Sequence, residues 1–334
     1  MKIQKAELLQ ALEIVRPGLS NNEMIEQSTS FAFIEDRVVT YNDSLSIAHP
    51  IKSMKLNGAI RAQELYEFLK RTDNAEIDLE IKENELLLKS GRAKAGLTLQ
   101  QTITLPLEDL NEEKDWHNIT EDLIADIDFV KDSTSNDMSR RVLTCVHIKQ
   151  NVIEASDGFQ IMRLTNEVWP LDETLIPSEV IGEIKKIEPT EVAKTDGWLH
   201  FRNAEDTVLS TRILSDSYPE TAGLFEVEGE TITFSKDMPK ILERAMVFTK
   251  QDHQLDEELL IKLKGNKLLV EGKNEYGWSK EQTTVKYSGK QAQFAITPML
   301  LKNIINRSNT CLLGEEKIKF EGDDWEYIAS LKSN

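Results

Sequence analysis

Three basic side chains, Lys236, Lys240 and Arg244, recur at i, i+4 and i+8, a spacing that puts them on one face of a helix. Cations so arranged can follow phosphates at long range without reading bases; a solvated helix face fits the same spacing equally well. Side chains able to do covalent chemistry are harder to find. His49, His117, His147, His200 and His253 are scattered, with no HExxH pair, no nucleophile elbow and no Gly-rich phosphate loop. Cys145 and Cys311 are too few for a disulfide framework and show no metal-ligand spacing. The chain holds 58 Asp and Glu, so chance explains any apparent carboxylate dyad. Asp157, followed by Gly158, reads as a turn residue rather than a general base. The expectation is a protein that binds rather than catalyses, with no metal and no cofactor.

The elements that must position such residues show a repeat. The chain has 334 residues, a formal net charge of −18 and 40% hydrophobic residues, enough to bury real cores and long enough to favour more than one domain. No stretch approaches a membrane span, and the first residues carry no signal-peptide core, so a soluble cytoplasmic protein is expected. Amphipathic helices are expected over 5–15, 120–130 and 235–248, with starts spaced evenly along the chain. A second helix follows in each third, over 62–70, 178–186 and 297–306. Between them lie apolar segments that end in polar turns: VVTYND, VIEASDG and LLVEGKN. Further period-two strands come after each second helix, in EIDLEIKENELLLKSGRAKAGLTL, WLHFRNAEDTVLSTRIL and IKFEGDDWEYIASL. Acidic connectors near 115 and 225 suggest domains over 1–115, 116–225 and 226–334, and the middle third carries most of the negative charge.

The order and spacing of several pieces resemble one family. IRAQELYEFLKR with LLLKSGRAKAGLTL, then EASDGFQIMRLTNE, LIPSEVIGEIKKI and STRILSDSYPE, and finally FAITPMLLKNIIN with WEYIASL together resemble the bacterial DNA polymerase III beta sliding clamps, including those carried by bacteriophages. The modest length and the compact hairpin between Leu143 and Asp157 point to a phage-encoded or divergent member. The resemblance implies an α+β fold of three repeated clamp domains per chain, each with two helices packed on antiparallel sheets. It further implies a head-to-tail homodimer closing a six-module ring around double-stranded DNA. Such a ring is a processivity factor: it tethers a replicative DNA polymerase without reading sequence, and a clamp loader must open it. The rival expectation is a scaffold of the same fold that docks replication or host proteins without being loaded.

The resemblance also assigns residues. DNA-facing candidates are Lys2, Lys5, Lys70, Arg71, Lys185, Lys186, Lys236, Lys240, Arg244, Lys302 and Arg307, with Arg140 and Arg141 in a loop where the family often has an aromatic residue that this chain lacks. One helix opposes this pattern: Glu121, Asp122, Asp126, Asp128 and Asp132 stand against Lys131 alone, so it either turns its acids away from the hole or adds nothing to the DNA path. A partner-peptide pocket would use Leu143, Ser156, Gly158, Phe159, Ile161, Pro219, Leu224 and Ile328, of which Leu143, Ile161 and Ile328 read equally as plain core. Ser330 stands where the family is apolar, which alters the pocket floor. Ring closure would use Lys94, Ala95 and Leu97 on an edge strand against Val247 and Phe248, Ala95 being smaller than the family's usual aromatic and Phe248 reading equally as core.

Overall fold

A computed structural model describes residues 1–110, 112–166, 168–253 and 256–332. The same element order runs three times along the chain. The first pass is β1 (Lys2–Gln4), α1 (Lys5–Val15), β2 (Ser30–Ile34), β3 (Arg37–Tyr41), β4 (Leu45–Pro50), β5 (Gly58–Arg61), α2 (Ala62–Arg71), β6 (Glu76–Lys82), β7 (Glu85–Ser90) and β8 (Ala93–Thr98). The second is β9 (His117–Asn118), α3 (Glu121–Val130), β10 (Cys145–Lys149), β11 (Val152–Ser156), β12 (Gln160–Thr165), β13 (Thr174–Pro177), α4 (Ser178–Lys186), β14 (Glu191–Thr195), β15 (Trp198–Arg202) and β16 (Val208–Arg212). The third is β17 (Glu230–Phe234), α5 (Met238–Met246), β18 (Leu259–Lys264), β19 (Lys267–Asn274), β20 (Gly277–Tyr287), β21 (Ala292–Ile296), α6 (Pro298–Ile305), β22 (Thr310–Leu313), β23 (Lys317–Glu321) and β24 (Trp325–Ser330). The result is an α+β fold with three antiparallel sheets and about two helices to each.

Each helix forms because one stripe of its sequence is apolar. In α1 that stripe is Leu8, Ala11, Leu12 and Val15, and in α4 it is Val180, Ile181 and Ile184. At the end of α1 the chain turns through Arg16–Gly18, where Thr40 Oγ1 donates to the freed Val15 carbonyl at 2.5 Å. A side chain on Gly18 would collide with that Thr40 hydroxyl, so the position needs a glycine. Thr120 caps α3 by accepting the Leu123 N–H at 3.1 Å. The helix expected over 235–248 is shorter: Ser235 closes a turn through Met238 N–H, and the helix begins at Met238, with Pro239 in the first turn where its missing N–H is harmless.

Contacts divide the chain into two compact units, one of Met1–Asp128 with Trp169–Ser215, the other of Phe129–Val168 with Asp216–Asn334. The repeat of elements and the packing thus cut the chain differently, because strands of the middle pass join a sheet in each unit. In the first unit one sheet runs β1-β6-β7-β8 and another β5-β2-β3-β4-β16-β15-β14-β9. There the acidic connector before residue 116 is more than a tether. Leu105 and Leu107 are buried with Ala32, Val39, Tyr41 and Trp198, each such side chain contributing about 1.5–3 kcal/mol by leaving water. The second unit's sheet includes, in order, β10-β11-β12-β24-β23-β22-β17-β20-β19-β18-β21, around a core in which Phe320 and Tyr327 are fully buried. No helix among the described residues is long and apolar enough to cross a membrane.

Candidate functional site

In the second unit a cavity of 380 Å³ opens where β12 meets β24. Its lining includes all eight residues expected to share a pocket: Leu143, Ser156, Gly158, Phe159, Ile161, Pro219, Leu224 and Ile328. Ile161 stands opposite Ile328 in the strand register, and both pack on Phe225 and Val227 to make the floor. The lip is shaped by Asp157, whose Oδ1 accepts the N–H groups of Phe159 and Gln160 at 2.8 and 2.9 Å, while its Oδ2 accepts from the Gln160 side-chain amide at 2.9 Å, a turn role. Gly158 adopts φ +92° beneath the Arg140 guanidinium, which would lie 2.5 Å from any Cβ there. Ser330 hangs on the Phe159 carbonyl through both its N–H (2.8 Å) and its hydroxyl (3.1 Å), so the polar replacement is bonded at the rim.

Beneath one wall lies a buried polar network. Glu154 accepts from Arg163 (Nη2 at 2.8 Å), from Thr221 Oγ1 (2.8 Å) and pairs with His147 Nδ1 (3.0 Å). Burial pushes the Glu154 carboxyl up, but hydrogen bonds from His147, Arg163 and Thr221 outweigh it and hold the group below the usual carboxylate range. Arg163 also stacks over Phe225 at 4.0 Å, and the His147 ring stacks on Tyr218 at 4.4 Å. Segment 216–225 is thereby tied to the sheet, which fixes Pro219, Thr221 and Leu224 against the cavity.

The basic candidates divide into engaged and free. Lys2 pairs with Glu76 (3.0 Å), Arg71 with Glu67 (2.9 Å), Lys186 with Glu183 (2.8 Å), and Lys5 donates to the Thr72 carbonyl (2.6 Å). Lys70 sits 5.7 Å from the Tyr66 ring, Arg307 stacks on Phe129 at 3.8 Å, and Arg140 donates to the Asp157 carbonyl at 2.8 Å. Lys185 neutralises Asp128 of the acidic α3 at 2.6 Å, while the apolar side of that helix is buried through Leu123, Ile124, Ile127 and Val130. In the α5 row, Arg244 forms a bidentate pair with Glu281 at 2.6 and 2.9 Å. The side chains of Lys236, Lys240, Lys302 and Arg141 are exposed and make no hydrogen bond or ion pair with described residues.

Two open strand edges bear on the residues expected at a seam. Among the described residues β8 pairs with β7 alone, so Lys94, Ala95 and Leu97 lie on an edge as expected. Gly277–Thr284 of β20 pairs with β19 on one side and with no described strand on the other; only Val285–Tyr287 continues onto β17. Beside that edge Val247 is 63% exposed, and Phe248 is half-buried against Gly277.

No family model and no curated protein matches the chain. Solved structures do match, over the whole of it. A DnaN sliding clamp (DNA polymerase III subunit beta) from Pseudomonas aeruginosa bound to griselimycin superposes with a TM-score of 0.87 at 13% identity, covering 100% of this chain and 99% of that one. The beta subunit of DNA polymerase from Streptococcus pyogenes gives 0.85 at 18%, with 100% and 99% covered, and the Thermotoga maritima beta subunit 0.81 at 15%, again with 100% and 99%. The fold is that of the beta sliding clamps. Such identities establish the clamp fold alone, so the roles of its pocket, cations and edges rest on their own chemistry.

Sequence reasoning left several pocket residues of this clamp fold unnamed. Gln160, Tyr218, Thr221, Glu316 and Lys317 also line the cavity, and Phe225 forms its floor. Lys317 is there because its Nζ donates to the Leu224 carbonyl at 2.7 Å, a contact between residues 93 apart that no local pattern signals. The open edge of β20 was equally unnamed, since GWSKEQTTVKY has no apolar face to announce a strand. Among the described residues no group of three or more His, Cys, Asp or Glu is placed to hold a metal ion.

Proposed function

We propose that the chain is a DNA sliding clamp: two copies join head to tail into a ring of six modules around duplex DNA and hold a replicative polymerase on its template. Strand pairing at the junctions carries this reading. Within the chain, the third strand after the first helix of one pass pairs with the last strand of the next pass, as β4 with β16 and β12 with β24. The same rule leaves β20 and β8 over, and both are open. A second copy supplies each with its missing neighbour and so covers both edges. Lys94, Ala95 and Leu97 of one copy then meet Val247 and Phe248 of the other, and the three modules correspond to 1–115, 116–225 and 226–334.

In this ring Lys236, Lys240, Lys302 and Arg141 supply the uncommitted cations, too few to grip DNA and enough to steer it, which suits sliding. The pocket floored by Ile161, Phe225 and Ile328 takes an apolar anchor of a polymerase or clamp-loader peptide, gaining affinity from few buried groups rather than from area. A closed ring cannot thread onto DNA without ends, so a loader must open it; the clamp itself performs no chemistry and works in the cytoplasm beside the replisome. The rival reading is a clamp-fold scaffold that is never loaded. It is favoured by the engagement of nine basic candidates, Lys2, Lys5, Lys70, Arg71, Arg140, Lys185, Lys186, Arg244 and Arg307, in contacts within the chain.

The deciding measurement is retention after loading on primed circular DNA and on the same DNA linearised. A clamp stays on the circle and runs off the ends; equal retention on both overturns topological binding. In a second arm, Ile161→Asp should still form the dimer yet cut polymerase product length to that of the unaided enzyme. Full product length with that variant would remove the pocket from the mechanism.

A further inference from the structure

The junction that builds the pocket has a counterpart in the first unit. There β4 lies against β16, with Ala48 opposite Val208, and residues 105–110 and 112–116 run beside the pair as 216–225 does beside the other. What remains between them is a groove of 400 Å³. Its apolar side is formed by Ile34, Val39, Leu107, Leu110 and Val208, and the half-buried Trp116 closes one end.

The charges in this groove are unlike those of the pocket. Arg37 is paired with Asp206, and Arg202 lies 4.3 Å over the Trp116 ring while donating to Glu191 at 2.7 Å, so both guanidinium groups are neutralised. Lys114 is not. Its Nζ donates to two backbone carbonyls, Leu110 at 2.5 Å and Glu112 at 3.0 Å, and no carboxylate oxygen of a described residue lies within ion-pair distance. Desolvation lowers its pKa despite the Glu112 charge nearby, as expected of an ammonium short of a counter-ion. Three ammonium hydrogens and two carbonyls leave one donor for a ligand. The pocket in the second unit, by contrast, is bordered by Glu220 and Glu316, and its Lys317 is held by a carbonyl.

We propose that this groove docks a peptide of another protein in which an acidic side chain neighbours an aliphatic one, the carboxylate meeting Lys114 and the apolar group lying on Leu110 and Trp116. A polyphosphate fits poorly, since Glu112 and Asp206 also line the groove and half of its lining residues are apolar. A small anion would satisfy Lys114 but leave the apolar side wet. The proposal does not depend on ring closure or on DNA.

The test uses the full chain labelled with 5-fluorotryptophan, its five indole signals resolved by 19F NMR and Trp116 assigned with Trp116→Phe. Acetyl-Asp-Leu-Asp-Leu-amide and its neutral counterpart acetyl-Asn-Leu-Asn-Leu-amide are titrated in turn. The acidic peptide should shift the Trp116 signal and bind about tenfold more tightly than the neutral one, the margin of a partly desolvated charge-assisted hydrogen bond. Lys114→Met should abolish the difference and Lys114→Arg preserve it, with the other indole signals reporting an intact fold. A silent Trp116, equal affinity for the two peptides, or an acid preference that survives Lys114→Met would each overturn the proposal.

Discussion

At the scale of single residues, burial of polar groups is what distinguishes this chain. His200 is fully buried, its Nδ1 2.7 Å from Ser210 Oγ and its Nε2 2.9 Å from Thr195 Oγ1. Burial, helped by the Lys114 charge, pushes its pKa from 6.5 down to about 3. The folded value is the lower one, so on acidification the unfolded chain takes up the proton first. Stability contributed by the neutral ring is complete above the ordinary histidine range and is lost progressively as pH falls toward the folded value. Between pH 7 and pH 4 this amounts to roughly 3 kcal/mol, and His200→Gln, which keeps polar atoms beside Ser210 and Thr195, should lose about that much less over the same interval. Urea unfolding of both proteins at the two pH values measures it; parallel losses would show that His200 does not set the acid response. The candidate pocket was legible at this scale because Ser156, Gly158, Phe159 and Ile161 fall in one stretch of sequence. Lys114 and His200 were not, because their environment is made by residues 105–110 and 112–116 lying over strands more than eighty residues further along and others sixty residues back.

At the scale of elements, helices were the easiest to foresee. The span 178–186 was legible in full, since Pro177 precedes it and Lys185 and Lys186 end it, whereas the start of α5 moved to Met238 because Ser235 is used in a turn. The thrice-repeated order of helices and strands was legible from periodicity, but not the pairings at the junctions, which join residues far apart and leave no local mark. Those pairings make a sharp prediction about Val247, just past α5. It is 63% exposed in one copy, so Val247→Asp should leave the folding of that copy unchanged. At a closed interface the same change buries an unpaired carboxylate and should weaken the dimer roughly a hundredfold. Sedimentation equilibrium reads the difference, and an unaltered dissociation constant would place the contact elsewhere.

At the scale of the whole molecule the governing quantity is charge. Each chain carries −18, so two chains repel one another as they meet. Exposed charges are screened beyond about 10 Å at 0.1 M salt, so added salt should tighten the dimer while weakening any attraction to DNA. Measuring the dissociation constant of the proposed dimer at low and high ionic strength checks this; a dimer loosened by salt would mean that cross-copy ion pairs, rather than strand pairing, dominate the association. Net acidity therefore bears on assembly and steering, and leaves open which surface a polyanion can touch. The open edge of β20 has a further consequence for the life of an unassembled copy. A row of unsatisfied backbone groups is a template for mispairing with any passing strand. Along this edge Lys280 and Glu281 interrupt the run, and the exposed positions are polar apart from Trp278. Such a composition discourages the self-stacking from which insoluble deposits grow.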